Sequence, residues 1–157
     1  MNLINYKDLV VSAKKAAKDV LRAEKVQNLL GYIANVNESI NFQKKAIERH
    51  EKELARDEYA LRIATQFESP DLETITKTTE EARTYHSERI TSITKEITEL
   101  EAKVEEYNTK IEKWNNGTSE TKLSLDLINS MAATFVKNKI GNDFNLGLYT
   151  EAAKENN

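Results

Sequence analysis

Residues 66–74 read QFESPDLET and contain Pro70, the only proline of the 157-residue chain. Ser69 is a favourable N-cap, proline is well tolerated in the first turn of a helix, and Asp71 places a negative charge near the positive end of the helix dipole. The residue before a proline is biased away from helical geometry, so a preceding helix should end here. The stretch therefore predicts a short turn between two helices that fold back antiparallel.

The segment before this turn has the seven-residue repeat that is typical of a coiled coil. One column of repeating positions is apolar throughout, whereas the second becomes polar toward the turn. The first column is Val26, Ile33, Ile40, Ile47, Leu54 and Leu61, and the second is Leu29, Val36, Gln43, His50, Asp57 and Ala64. We expect these two columns to form one side of a helix–helix seam.

The segment after the turn carries a matching pattern, in which apolar residues recur at alternating steps of three and four. These residues are Ile90, Ile93, Ile97, Leu100, Val104, Tyr107, Ile111 and Trp114. Upstream of them the seam weakens through His86, Ala82 and Thr79. In an antiparallel hairpin the polar halves of both segments would meet near the turn and the apolar halves far from it, which supports this arrangement.

The chain ends add two amphipathic helices and a tail. Asn5 is a candidate N-cap for the first helix, which should end or bend near Gly31, and Gly117 followed by Thr118 or Ser119 separates the second arm from the last helix. We therefore predict an all-α fold in a single helical domain over residues 1–157, a long antiparallel hairpin with two flanking helices packed at its base. Its predicted parts are the first helix 5–30, the hairpin arms 32–67 and 70–115, the last helix 119–138 and a loosely ordered tail 139–157.

The composition excludes several classes of protein. With 39% hydrophobic and 31% charged residues and a mean hydropathy of -0.66, the chain is polar yet able to form a core. The absence of cysteine excludes disulfides, thiolate metal sites and a cysteine nucleophile. No secretory signal or membrane-spanning stretch is evident, so a cytoplasmic location is expected.

Catalytic motifs are also missing from the sequence. There is no Gly-x-Ser-x-Gly elbow, no glycine-rich phosphate loop and no dinucleotide fingerprint. Carboxylates on coiled-coil arms are more often solvated flanks than acid–base pairs. We therefore expect no enzyme activity, no cofactor and no small-molecule substrate.

His50 and His86 are predicted to lie on the seam, within about one turn of each other. Two imidazoles at one level could bind a metal ion or respond to pH. Neither histidine belongs to a Glu-x-x-His or His-Glu-x-x-His pattern. A polar seam layer is therefore favoured over a metal site.

The first helix carries a candidate partner-binding basic face. Six basic side chains fall within about one third of its circumference, opposite its apolar residues. They are Lys7, Lys14, Lys15, Lys18, Arg22 and Lys25. This face could meet phosphates or an acidic protein surface, and neither is favoured over the other. No aromatic interleaving or helix-turn-helix pattern supports base recognition, so nucleic acid is not expected as the main partner of the protein.

Two functional hypotheses follow. The first is a structural or assembly protein that uses the hairpin for protein–protein contacts and self-associates, because a two-helix seam with a polar half leaves surface to be covered. The alternative is a small regulatory protein that binds and inhibits a host enzyme or a nucleic-acid machine. The small size and the richness in Asn, Lys, Ile and Thr would suit a phage, virion or mobile-element product in either case.

Overall fold

The computed structural model describes residues 4–119 and 122–155, and these are all-α, as predicted. The helices are α1 (Tyr6–Gln66), α2 (Leu72–Asn115), α3 (Leu125–Ile140) and α4 (Leu146–Glu155), with a single 3-10 turn at Gly141–Asp143. Within the described ranges, no helix has an apolar stretch long enough to cross a membrane. The chain divides into two compact units: a hairpin unit, Gly31–Asn108, and a terminal unit made from the residues up to Leu30 and from Thr109 onward.

The predicted turn joins α1 to α2. At the end of α1 the Ser69 N–H donates to the Ala64 carbonyl (3.0 Å), and Glu68 adopts a left-handed conformation with φ 51°. This is a Schellman-type helix end with a glutamate where glycine is usual. The Ser69 hydroxyl then accepts from the Asp71 N–H (3.2 Å), which starts the next helix around the proline.

The seam of the hairpin unit follows the two predicted columns. Every predicted seam position within Gly31–Asn108 is buried or half-buried. The apolar half forms one cluster whose buried members are Ile40, Ala46, Ile93 and Ile97, with Val36, Ile47, Leu100 and Val104 packed against them. Burial of this apolar surface holds the two arms together, at roughly 25 cal/mol for each Å² removed from water.

Contacts across the seam establish an antiparallel register. As the residue number rises along α1, the number of its partner on α2 falls. The pairs are Tyr32 with Tyr107 (ring centroids 5.8 Å apart), Gln43 with Glu96 (amide Nε2 to carboxylate, 2.9 Å) and Asp57 with Thr79 (carbonyl to hydroxyl, 3.5 Å). The polar halves of the two arms therefore meet on the side of the turn, as the sequence predicts.

The terminal unit has its own core, built from three helices. Buried residues recur at steps of three and four along the first part of α1, along α3 and on α4. They are Tyr6, Val10, Ala13, Ala17, Leu21, Ile128, Ala132, Val136, Tyr149 and Ala152. Alanine at several of these positions lets the helix backbones approach closely.

The structure differs from the prediction at Gly31, where α1 continues without interruption. The predicted first helix 5–30 and the arm 32–67 are thus one helix. A single glycine in a helix interior costs only about 0.5–1 kcal/mol relative to alanine. The seam residues Leu29 and Ile33 on both sides of it are half-buried, and burial of a large apolar side chain is worth more than this cost.

The C-terminal segment also differs from the prediction of a loosely ordered tail. Up to residue 155 it contains the end of α3, a 3-10 turn and α4, while residues 156 and 157 lie outside the described part of the chain. Tyr6 of α1 anchors it: its hydroxyl donates to the Asp143 carbonyl (3.1 Å) and accepts from the Asn145 N–H (2.8 Å). Tyr149 is buried in the same core, so the segment gains enough packing to become helical.

The boundary between α2 and α3 is partly as predicted. Gly117, at φ 70°, ends α2 in a Schellman motif, in which the Thr118 N–H donates to the Lys113 carbonyl (2.9 Å). The helix predicted to begin near residue 119 is α3, which begins at Leu125 instead. Ser124 is its N-cap and accepts a hydrogen bond from the Leu127 N–H (3.4 Å). Residues 120 and 121, inside the predicted helix, lie outside the described part of the chain.

Candidate functional sites

His50 of α1 and His86 of α2 meet in the seam of the hairpin unit. Their Nδ1 atoms are 2.8 Å apart, and their ring centroids are separated by 5.1 Å. His86 is only 6% exposed, whereas His50 is half-buried. At this distance one imidazole donates a hydrogen bond through Nδ1 and the other accepts it. The two histidines that the sequence predicts on the seam are therefore direct neighbours.

Glu53 is a third polar group beside this pair. It lies three residues after His50, on the same face of α1, and its carboxylate Oε2 is 3.7 Å from His86 Nε2. One potential ligand atom from each of these three residues lies within 4.8 Å of the other two. Glu53 is not among the residues predicted from the sequence, because it stands in no known metal-binding motif with either histidine. Its position three residues after His50, on the same helix face, is the signal in the sequence that points to it.

Tyr85 packs beside His50 and His86, which we call the histidine layer. Its ring centroid is 5.9 Å from that of His50 and 5.1 Å from that of His86, in edge-to-face arrangements. Edge-to-face aromatic contacts favour particular ring orientations. Tyr85 therefore helps to restrict the rotamers of both imidazoles.

The seam between the two histidines and the turn mixes polar and apolar residues. Thr79 is buried, and its hydroxyl is close to two backbone carbonyls, those of Ile75 (2.8 Å) and Asp57 (3.5 Å). Ala64 is buried and Leu61 half-buried in the same stretch. Among the described residues, no buried side-chain nitrogen or oxygen lacks a hydrogen-bond partner, so the polar members of this stretch are satisfied.

An ion pair bridges the two arms in this region. The Arg83 guanidinium donates two hydrogen bonds to the Glu58 carboxylate, from Nη2 to Oε2 at 2.8 Å and from Nε to Oε1. These hydrogen bonds, with the positive charge of Arg83, hold the pKa of Glu58 below its ordinary value. Both side chains remain partly exposed, so the pair contributes modestly to stability.

The outer face of α1 in the hairpin unit carries a row of basic residues, with the exposed Glu48 beside it and Glu38 one step before it. Six exposed residues at steps of three and four lie opposite the seam, and we call them the basic stripe: Phe42, Lys45, Arg49, Lys52, Arg56 and Tyr59. The stripe has four basic residues and no acidic one, with an aromatic residue at each end. Phe42 is 64% and Tyr59 57% exposed.

The outer face of α2 has the opposite charge. Its exposed residues at the same spacing form the acidic stripe: Glu81, Tyr85, Glu88, Ser92, Lys95, Glu99, Ala102 and Glu106. Four glutamates outnumber one lysine here. Apart from Tyr85, whose ring reaches the two histidines, the residues of each stripe lie on the side of their helix away from the seam, so the two stripes face away from each other within the hairpin unit. Charge counts along the chain did not reveal them, since the separation appears only when residues are sorted by heptad position.

The predicted basic face of the first helix is divided in the terminal unit. The Lys14 ammonium donates to the Ala153 carbonyl at the end of α4 (3.3 Å), and Arg22 lies 3.9 Å from the Asp19 carboxylate. Burial, followed by the charge of Lys18, lowers the pKa of Lys14. The other members of the predicted face are exposed: Lys7, Lys15, Lys18 and Lys25. The six residues therefore do not form a uniform binding surface.

Comparisons with protein-family models, with curated proteins and with solved structures found no match to this chain. No relative therefore indicates a function. The candidate functional features are therefore those of the structure itself: the histidine layer with the adjacent Glu53 carboxylate, and the two exposed stripes of opposite charge.

Proposed function

We propose that this protein is a non-enzymatic assembly component that self-associates through its hairpin unit. In this arrangement the basic stripe of one copy docks on the acidic stripe of another. The observation that carries the proposal is the opposite charge of the two exposed stripes. Complementary charge steers two copies toward this contact and disfavours the pairing of like stripes.

Exposed aromatic residues supply the apolar part of the contact. Phe42 and Tyr59 flank the basic residues of one stripe, and Tyr85 lies within the other. Aromatic residues and arginine are enriched at the centres of protein interfaces. Burial of a large apolar side chain stabilises an association by about 1.5–3 kcal/mol, whereas an exposed ion pair adds about 0–1 kcal/mol. The aromatic residues would thus provide most of the affinity, and the charged residues would determine how the two copies are oriented.

The placement of the stripes favours an assembly over a simple pair. Each copy carries one basic and one acidic stripe on opposite sides of its hairpin unit. A contact between unlike surfaces leaves one stripe uncovered on each partner, so a third copy can join in the same way. Such heterologous contacts generate open chains or closed rings. A regulatory protein with a single host target would need only one of these surfaces.

Sedimentation equilibrium over a wide concentration range tests the proposal. We expect the average mass to rise with protein concentration, and the association to weaken between low and high salt because the stripes are solvent-exposed. The variant R49E/K52E should be monomeric, since it reverses the centre of the basic stripe. The control K15E/K25E makes the same change in net charge on exposed residues of the terminal unit and should associate like the wild type.

A charge-swap experiment makes the test specific. The variant E81K/E88K should also be monomeric alone, and a mixture with R49E/K52E should regain association only between unlike variants. Circular dichroism would verify that both variants stay helical. A wild-type protein that remains monomeric throughout, or a control variant that dissociates as readily as R49E/K52E, would refute the proposal.

Purification from the native producer, with identification of accompanying proteins by mass spectrometry, distinguishes the two functional hypotheses. Recovery of many copies in one large particle, such as a virion, would support the assembly role. Recovery with one host enzyme at a fixed stoichiometry would instead support the regulatory alternative and overturn the proposal.

A further inference from the structure

The histidine layer has the ligands of a metal site. We propose that His50, His86 and Glu53 bind one divalent transition-metal ion, through one imidazole nitrogen from each histidine and one carboxylate oxygen. The three donor atoms already lie within 4.8 Å of one another. The site would bridge α1 and α2, and it does not depend on the self-association proposed above.

The donor set indicates which ions would bind. Imidazole nitrogens suit Zn²⁺, Cu²⁺ and Ni²⁺, whereas Mg²⁺ and Ca²⁺ prefer oxygen ligands. Three protein ligands leave at least one position for water, as in open zinc sites. The Glu53 side chain is exposed (52%), so an ion could reach the site from solvent.

The distance between the imidazoles is compatible with ligation of one ion. With metal–nitrogen bonds of about 2.0–2.1 Å, two ligand nitrogens lie about 2.9 Å apart at a right angle and about 3.4 Å apart at a tetrahedral angle. The two Nδ1 atoms, held 2.8 Å apart by their hydrogen bond, need to separate by at most about 0.6 Å for either geometry. The titration described below therefore decides among Cu²⁺, Ni²⁺ and Zn²⁺.

Metal binding would replace the hydrogen bond between the two rings. If both Nδ1 atoms become ligands, the ring that donated the bond carries its proton on Nε2 instead, and no net proton is released. The two Nδ1 atoms already approach within 2.8 Å, whereas the Glu53 carboxylate lies 3.7 Å from His86 Nε2, so the Glu53 side chain or the His86 ring must rotate for all three groups to bind one ion. Since the ligands come from both arms, a bound ion would cross-link the hairpin and favour the folded state.

Titration of untagged protein with Cu²⁺, Ni²⁺ and Zn²⁺ tests the proposal. The chain has two histidines and no cysteine, so imidazole ligation can come only from this pair. We expect binding to saturate at one ion per chain and to be reversed by a chelator. With Cu²⁺, the visible absorption band should lie at a shorter wavelength than that of the aqueous ion, because nitrogen ligands replace water. At about 100-fold excess over Kd, Tm should rise by about 5–10 °C. Mg²⁺ should change neither signal.

Matched variants assign the ligands. Glu53→Gln should weaken binding about 10-fold or more, whereas Glu51→Gln, an equal change at an exposed position on the same turn, should leave the affinity unchanged. His50→Gln should abolish the nitrogen-dependent absorption. Because the Glu53 side chain is half exposed, Glu53→Gln leaves the hairpin folded and decides the test independently of the buried His86.

Two outcomes would overturn the proposal. One is the absence of any Tm or absorption change with all three ions up to millimolar concentration. The other is binding that persists unchanged in both Glu53→Gln and His50→Gln, which would show that the ions occupy surface carboxylates elsewhere.

Discussion

Val10 and Val11 are adjacent residues of identical chemistry, but the first is 0% and the second 54% exposed. We expect Val10→Ala to lower the free energy of unfolding by about 2–3 kcal/mol, because it removes two buried methyl groups and leaves a cavity in the core of the terminal unit. Val11→Ala is the matched control and should change it by less than about 0.5 kcal/mol. Urea denaturation monitored by circular dichroism measures both. Equal effects would contradict the described orientation of α1.

Glu58 gives one source of pH dependence. The hydrogen bonds from Arg83 lower its pKa in the folded state below the value in the unfolded chain. Its stabilising contribution is thus fully present above the unfolded pKa, about 4.3, and is lost as the pH falls through the folded pKa. NMR titration of the Glu58 carboxyl carbon should show this low pKa.

The variant Arg83→Gln should return the Glu58 pKa toward its ordinary value and flatten the acid side of the stability profile. Arg89→Gln, at an exposed position farther along α2, is the control and should leave the Glu58 titration unchanged. A Glu58 pKa that does not move in Arg83→Gln would contradict the assigned pairing.

The two glycines at Gly31 and Gly117 should respond to substitution in opposite ways, because one lies inside a helix and the other ends one. At Gly31, inside α1, no neighbouring side chain lies within 4 Å of the position that an alanine methyl group would take, whereas Gly117 has φ 70°. We expect Gly31→Ala to raise the free energy of unfolding by about 0.5–1 kcal/mol through better helix propensity. Gly117→Ala should lower it by about 1–2 kcal/mol, because a side chain is strained at positive φ. Thermal unfolding of both variants checks the sign, and a destabilised Gly31→Ala would contradict the continuity of α1.

Much of the element-scale structure follows from local pattern. The turn at Pro70 and the seam could be predicted because capping preferences and a 3.5-residue period act over short distances. The continuity of α1 at Gly31 could not, since it depends on seam packing that outweighs a weak local preference. The order of α4 depends on Tyr149 reaching a core made by distant residues.

The candidate sites, too, were predictable from the sequence only in part. Adjacency of His50 and His86 followed from pairing two independently identified columns in antiparallel order. Glu53 joins them only once the register and the side-chain positions are known. The two stripes were present in the sequence, but their meaning depends on which heptad positions face outward.

At the scale of the whole molecule, stability should vary between regions. The terminal unit has a large buried apolar cluster and the hairpin unit a smaller one, and neither cluster includes a residue between Asp57 and Thr79. Regions with few buried apolar contacts open at lower free-energy cost. We therefore expect backbone amide hydrogen exchange, followed by mass spectrometry, to differ among three regions. Of these, residues 57–79 should exchange fastest, residues 36–47 and 93–104 more slowly, and residues 10–21 most slowly. Equal protection of the first two regions would contradict this gradient.

The seam register has a consequence for how this hairpin can change in length. His50 pairs with His86 and Asp57 with Thr79, so a step of seven residues along one arm matches a step of seven along the other. Loss of residues 51–57 alone would misalign every pair beyond the histidines, whereas loss of 51–57 together with 79–85 would restore the alignment. Between the histidines and the turn, the reach of the hairpin can thus be shortened in matched increments of about 10 Å, two turns of helix on each arm.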